Sequence, residues 1–137
     1  MYTFGPTSKL RMEGCHPDIQ KILNEAIQII DFSVLEGHRD EKRQNRFFRS
    51  GASKLKWPHS KHNKLPSMAV DVAPYPIIWE GHVARARFYY LQGIIKGIAE
   101  TLEISIRFGG DWDGDGDITD QSFNDLPHFE LWERRAG

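Results

Sequence analysis

Cysteine is nearly absent from this chain: Cys15 stands alone in 137 residues. That excludes an intramolecular disulfide framework and any cysteine-based zinc motif, and it leaves Cys15 as a buried or inert thiol. Long apolar runs are absent too, so no stretch approaches a membrane span. The start, Met1-Tyr2-Thr3-Phe4-Gly5-Pro6, has neither a basic segment nor an apolar signal core, so synthesis in the cytoplasm is expected. Neither sign of charge dominates. Eighteen Lys and Arg against nineteen Asp and Glu give a formal net charge of −1, and no global field favours nucleic acid. There is no internal repeat, low-complexity tract or linker. With 39% hydrophobic and 27% charged residues, the composition is that of a soluble globular protein. Its length fits one domain spanning residues 1–137.

Apolar periodicity supplies the elements. Pro17 suits a first helical position, and Ile19, Ile22, Leu23, Ala26, Ile27 and Ile30 form a helical stripe over 17–30. Residues 32–35 read as a strand ending near Gly37. Residues 40–49 read as a polar helix stopped by Gly51. The segment 52–67 is basic and irregular. Residues 68–73 alternate as a strand closed by Pro74, with Met68, Val70 and Val72 on one face and Ala69, Asp71 and Ala73 on the other. The longest helix is expected over 83–102, with a stripe of Ala84, Leu91, Ile94, Ile95, Ile98 and Leu102 flanked by Phe88 and Tyr90. Strands at 104–108 and 128–132 bracket a long acidic loop. In the last strand Phe129 and Leu131 face one way, and His128, Glu130 and Trp132 the other. The order predicts an α+β domain with a mainly antiparallel sheet backed by helices.

Three residues have the chemistry of a metal site with one open position: His62, Asp71 and His128. Imidazole and carboxylate suit Zn²⁺, and three protein ligands leave a fourth position for water. Asp125 stands three residues before His128, where a spare carboxylate could take a proton from that water. Spacing by itself leaves a metal site and unrelated side chains equally open, because short motifs recur by chance. His59 is expected beside the site or in solvent. His16, His38 and His82 have no evident partners.

The segments Ser60-x-His62, Ala69-x-Asp71 and Asp125-x-x-His128 resemble the zinc peptidases of the D-alanyl-D-alanine carboxypeptidase and dipeptidase family. That family includes phage L-alanyl-D-glutamate endopeptidases and shares its fold with the Hedgehog signalling domain. The resemblance implies His62, Asp71 and His128 as zinc ligands and Asp125 as catalytic base. Gly37-His38-Arg39 with Gln44 resembles a family segment whose arginine binds substrate and steadies the oxyanion. This implies a catalytic part for Arg39 and a substrate-binding part for Gln44, with Ser60 supporting the ligand loop or touching substrate. Arg107-Phe108-Gly109-Gly110-Asp111-Trp112 and His128-Phe129-Glu130-Leu131 most resemble the phage branch. The His62–Asp71 interval is two residues longer than in such relatives, and Pro66 stands near where they carry Gly. The local shape of the substrate groove is therefore left open.

The loop Asp111-Trp112-Asp113-Gly114-Asp115-Gly116-Asp117-Ile118-Thr119-Asp120 resembles the first part of an EF-hand. Ser122 stands where an EF-hand needs a bidentate Glu, so a true EF-hand is excluded. Five aspartates in ten residues repel one another, and Ca²⁺ bound by Asp111, Asp113, Asp115, Asp117 and Asp120 would hold them together. A solvated acidic loop is the bland alternative. The basic stretch from Arg39 to Lys64 is either a solvated face or an attractor for anionic peptidoglycan. A nucleic-acid site is disfavoured by the overall charge balance.

The resulting expectation is a monomeric zinc endopeptidase cutting the L-alanyl-D-glutamate bond of peptidoglycan stem peptides. It would accumulate in the host bacterial cytoplasm without stable membrane insertion, and a separate membrane-permeabilising protein would release it to the wall. A D,D-carboxypeptidase or dipeptidase is not separated by the motif. A non-catalytic Hedgehog-like zinc and calcium domain is opposed by the presence of Asp125.

Overall fold

The computed structural model describes residues 1–119 and 124–133. Helices α1 (Pro6–Glu13) and α2 (Pro17–Ala26) precede strand β1 (Phe32–Glu36) and helix α3 (Glu41–Ser50). A single 3₁₀ turn, Lys61–Asn63, leads to β2 (Ala69–Pro74), the long α4 (His82–Thr101), β3 (Ile106–Phe108) and β4 (His128–Leu131). The four strands form one antiparallel sheet in the order β1-β2-β4-β3. This is the α+β architecture expected from the order of elements. No helix among the described residues is long and apolar enough to cross a membrane.

Local chemistry explains most boundaries. His16 caps α2 by accepting the amide of Asp18 at 3.0 Å, so this histidine does have a partner. Asp40 caps α3 by accepting the amide of Arg43 at 2.8 Å. Gly51 ends α3 in the left-handed region at φ 83°, which glycine adopts without steric cost.

The core lies between the sheet and helices α2 and α4. Ile19, Ile22, Leu23, Val34, Val70, Val72, Leu91, Ile95 and Phe129 are wholly inaccessible. Their burial supplies the main driving force for folding. The predicted alternation in β2 holds: Val70 and Val72 enter the core, and Asp71 is left on the other face.

Helix α1 has no counterpart in the apolar pattern, because only Ser8 and Met12 are buried along it. It is held by polar contacts instead. Ser8 Oγ accepts the Val34 amide at 3.0 Å, and Arg11 donates to the Val34 carbonyl at 3.0 Å. These two bonds satisfy the outward amide and carbonyl of Val34 and place α1 against that edge of β1. In α4 the buried row is Ala84, Phe88, Leu91, Gln92, Ile95 and Ala99. Phe88 belongs to the stripe itself, while Tyr90 is 67% exposed and Leu102 38%.

Candidate active site

Adjacent central strands bring the distant site residues together. Asp71 on β2 is directly opposite His128 on β4 in the antiparallel register. His62 comes from the 3₁₀ turn, capped by Ser60, whose hydroxyl accepts the His62 amide at 3.2 Å. Asn63 returns the cap by accepting the Ser60 amide at 3.0 Å. Ser60 therefore shapes the ligand-bearing turn, and its buried side chain also lines the adjoining cavity.

Three donor atoms converge. His62 Nε2 lies 3.3 Å from His128 Nδ1 and 3.3 Å from Asp71 Oδ1, and His128 Nδ1 lies 3.1 Å from the same oxygen. Tetrahedral bonds of about 2.0–2.1 Å to zinc require ligand atoms roughly 3.3 Å apart. The donor set therefore fits a zinc-sized ion without rearrangement. The outward nitrogens are fixed as well. His62 Nδ1 donates to the Gly37 carbonyl at 2.8 Å, and His128 Nε2 donates to Glu130 Oε1 at 2.8 Å. A carbonyl and a carboxylate only accept, so each inner nitrogen can offer its lone pair.

The electrostatics describe the protonated site, and a bound cation would have to displace a proton from His128 Nδ1 before that nitrogen could act as a ligand. Burial alone would raise the Asp71 carboxyl, but the His62 charge and the His128 hydrogen bond hold it well below the usual carboxylate range. Burial pulls the His128 imidazolium down, yet its bonds to Asp71 and Glu130 push it up to about 9. Asp125 goes the other way. Burial, then repulsion from Asp71, raises its carboxyl, and the His128, His62 and Arg39 cations offset part of that rise.

A cavity of about 280 Å³ opens beside the three ligands, and Arg39, Lys54, Ser60, Arg107, Trp112 and Asp125 line it. Arg39 is buried, with one guanidinium nitrogen 2.8 Å from Gln44 Oε1 and another 3.7 Å from Asp71 Oδ2. Its guanidinium lies 4.4 Å over the Phe47 ring. Gln44, expected against substrate, is fully buried behind Arg39. Its amide nitrogen donates to Ser53 Oγ and the Leu55 carbonyl, and its oxygen accepts from Arg39 and Asn63. It therefore braces Arg39 and the groove wall.

The turn carrying Asp125 is clamped from two sides. The Asp125 amide donates to the Gly109 carbonyl, and the Gly109 amide to the His128 carbonyl, both at 2.8 Å. Buried Gln92 on α4 donates to the carbonyls of Leu126 and Pro127, each at 3.1 Å. Sequence pattern did not single out Gln92, since a polar residue in a helix carries no periodic signal. Glu130 did leave a trace: strand alternation puts it on the face of His128, where a buried carboxylate needs a partner.

In the acidic loop, carboxylates of Asp111, Asp113 and Asp115 lie within 4.8 Å of one another. Asp111 is buried, its Oδ2 accepts the Gly116 amide at 2.9 Å, and among the described residues its Oδ1 has no hydrogen-bond partner. Gly114 and Gly116 turn the loop with φ of 68° and 85°. Asp117 instead accepts the Thr119 amide at 2.9 Å, and Asp120 lies outside the described residues. His59 and His38 are exposed, as is His82.

A ligand cluster with one side open, a neighbouring carboxylate and a buried guanidinium define a hydrolase-type site on an α+β sheet. Known proteins make the class specific. Residues 1–132 match the phage L-alanyl-D-glutamate peptidase family, and the chain belongs to that family of peptidases. It is 30% identical over 125 residues to the L-alanyl-D-glutamate peptidase of Escherichia phage T5, covering 88% of each chain. Its fold superposes on the Serratia marcescens L-Ala D-Glu endopeptidase ChiX with a TM-score of 0.75. That match has 28% identity and covers 94% of this chain and 89% of the other.

Proposed function

We propose that this protein is a zinc endopeptidase that cuts the L-alanyl-D-glutamate bond of peptidoglycan stem peptides. The observation that carries the reading is the triangle of His62 Nε2, Asp71 Oδ1 and His128 Nδ1, with sides of 3.1–3.3 Å, in a cavity shared with Asp125. Zinc held there would lower the pKa of a water and polarise the scissile carbonyl. Asp125 takes the attacking water's proton and passes it to the leaving amine. Arg39, held by Gln44 and Phe47, stabilises the oxyanion or grips a substrate carboxylate. Lys54, Lys61 and Arg107 add positive charge around the groove, which suits an anionic stem peptide.

The names of the relatives favour this bond over the D-alanyl-D-alanine linkage. Asp111, Asp113 and Asp115 are read as a calcium site, supported by their convergence and by a buried Asp111 oxygen with no hydrogen-bond partner among the described residues. Asp117 and Asp120 join that reading on loop spacing alone. The same reading has the protein act on the wall as a monomer after a separate membrane-permeabilising protein releases it.

Digestion of purified peptidoglycan followed by mass spectrometry of the fragments tests the function. Zinc-loaded protein should leave L-alanine as the new C-terminus and D-glutamate with a free amine. His62→Ala and His128→Ala should lose both zinc and lysis. Release of D-alanine alone would replace the proposal with a carboxypeptidase, and no cleavage by zinc-loaded protein would remove it.

A further inference from the structure

We propose that Glu130 is a positioning residue for the metal centre, aiming the Nδ1 lone pair of His128 at Asp71 and His62, with Lys61 and Arg107 holding it in place. The inference rests on the zinc reading above and concerns a residue outside the three ligands.

Glu130 is only 5% exposed, and both of its oxygens are used. Oε1 accepts from His128 Nε2 at 2.8 Å. Oε2 lies 2.9 Å from an Arg107 guanidinium nitrogen and 3.0 Å from Lys61 Nζ. An imidazole can present either nitrogen to a metal, and a ring flip exchanges them. A carboxylate cannot donate, so it requires the proton on Nε2 and leaves Nδ1 for the ion. A flipped ring would lose this bond.

The cations make the arrangement rigid. A lone buried carboxylate would be costly, and two cations offset its desolvation. Arg107 on β3 is itself fixed. It donates to the Trp112 carbonyl at 3.3 Å, and its guanidinium lies 5.3 Å from the Trp112 ring and 5.2 Å from the Trp132 ring. Lys61 immediately precedes the ligand His62, and its ammonium also donates to the Leu131 carbonyl. One carboxylate thus joins the turn bearing His62, strand β3 and the strand bearing His128. The two histidine-bearing segments are tied together through Lys61 and Glu130.

Zinc affinity of the full chain, measured by competition with a chromophoric chelator at fixed pH, tests this directly. Glu130→Gln should stay folded by circular dichroism and bind zinc about 10- to 100-fold more weakly, the usual cost of losing such a partner. The zinc-induced rise in its Tm should shrink accordingly. A ¹⁵N spectrum of the zinc-loaded wild type gives an answer even if the variant misfolds. His128 should carry a slowly exchanging proton on Nε2 and bind zinc through Nδ1. Wild-type zinc affinity in Glu130→Gln, or a His128 proton on Nδ1, overturns the role of Glu130 and leaves the zinc reading standing. A wild-type chain that binds no zinc overturns both.

Discussion

The backbone of Gly109 and that of Asp125 are locked together. The Asp125 amide donates to the Gly109 carbonyl at 2.8 Å, and a Cβ on Gly109 would lie 2.9 Å from the Asp125 carbonyl carbon and collide with its oxygen. The residue immediately after β3 thereby sets the height of the proposed base over the ligand triangle.

Gly109→Ala should therefore displace Asp125. Such overpacking costs about 1–3 kcal/mol, and turnover should fall more than zinc content does. Thermal unfolding, metal analysis and peptidoglycan hydrolysis on one preparation check this. An alanine variant with unchanged Tm and turnover would contradict the close approach.

Asp125→Ala separates chemistry from binding. The three ligands remain, so one zinc per chain should be kept. Turnover should drop by roughly 10²–10⁴, the usual worth of general acid–base catalysis. KM should change much less, because the proton transfer acts chiefly in the transition state. If Asp125 only shaped the turn before Pro127, stability would fall and turnover per folded molecule would not.

The acidic loop makes a separate prediction. Asp113→Asn with Asp115→Asn should remove one bound calcium and lower activity while zinc stays. Gly109 and Asp111 connect the loop to the turn of Asp125, so ordering the loop should steady that turn. Equal wild-type activity with added calcium and with a calcium-selective chelator would falsify the regulatory part.

Cys15 gives a pH test away from the site. It is 1% exposed, and burial pushes its thiol from 9.0 up to about 11. The folded chain keeps the proton longer than the unfolded chain. The contribution to stability is therefore complete below pH 9 and is lost as pH rises through about 11. Two pH units correspond to about 2–3 kcal/mol. Unfolding free energies of the wild type and Cys15→Ala, compared between pH 8 and 11, should show this extra decline in the wild type alone. Alkylation of the native chain at pH 8 should be slow.

Legibility followed physical locality. The stripe of Ile19, Ile22, Leu23 and Ala26 and the alternation of Val70, Asp71 and Val72 are local records of burial, and both elements formed, although the helix expected to reach residue 30 ends at Ala26, with Ile27 as its C-cap. Helix α1 was invisible because it is held by Ser8 and Arg11 bonding to Val34, contacts that leave no apolar rhythm. The strand expected at 104–108 is only Ile106–Phe108, because pairing with β4 covers those three positions alone. Gln44 was placed against substrate by motif, yet its side chain is used up bracing Arg39 and residues 53–55.

By itself the sequence determined the chemistry available. It supplied two imidazoles and a carboxylate of the right kinds, a spare Asp125, an α+β order of elements, and no disulfide or long apolar run. Residue types and periodicities are properties of the chain, so they can be read without folding it. Only the tertiary structure decided the distances. Pairing of β2 with β4 set Asp71 opposite His128, and the Ser60-capped turn brought His62 within 3.3 Å of both. It also decided which nitrogens face inward: the Gly37 carbonyl that fixes the His62 ring is remote in sequence, and Glu130, though close to His128 in the chain, meets its ring only once the strand has formed. Those partners act through space, and only folding brings them into contact.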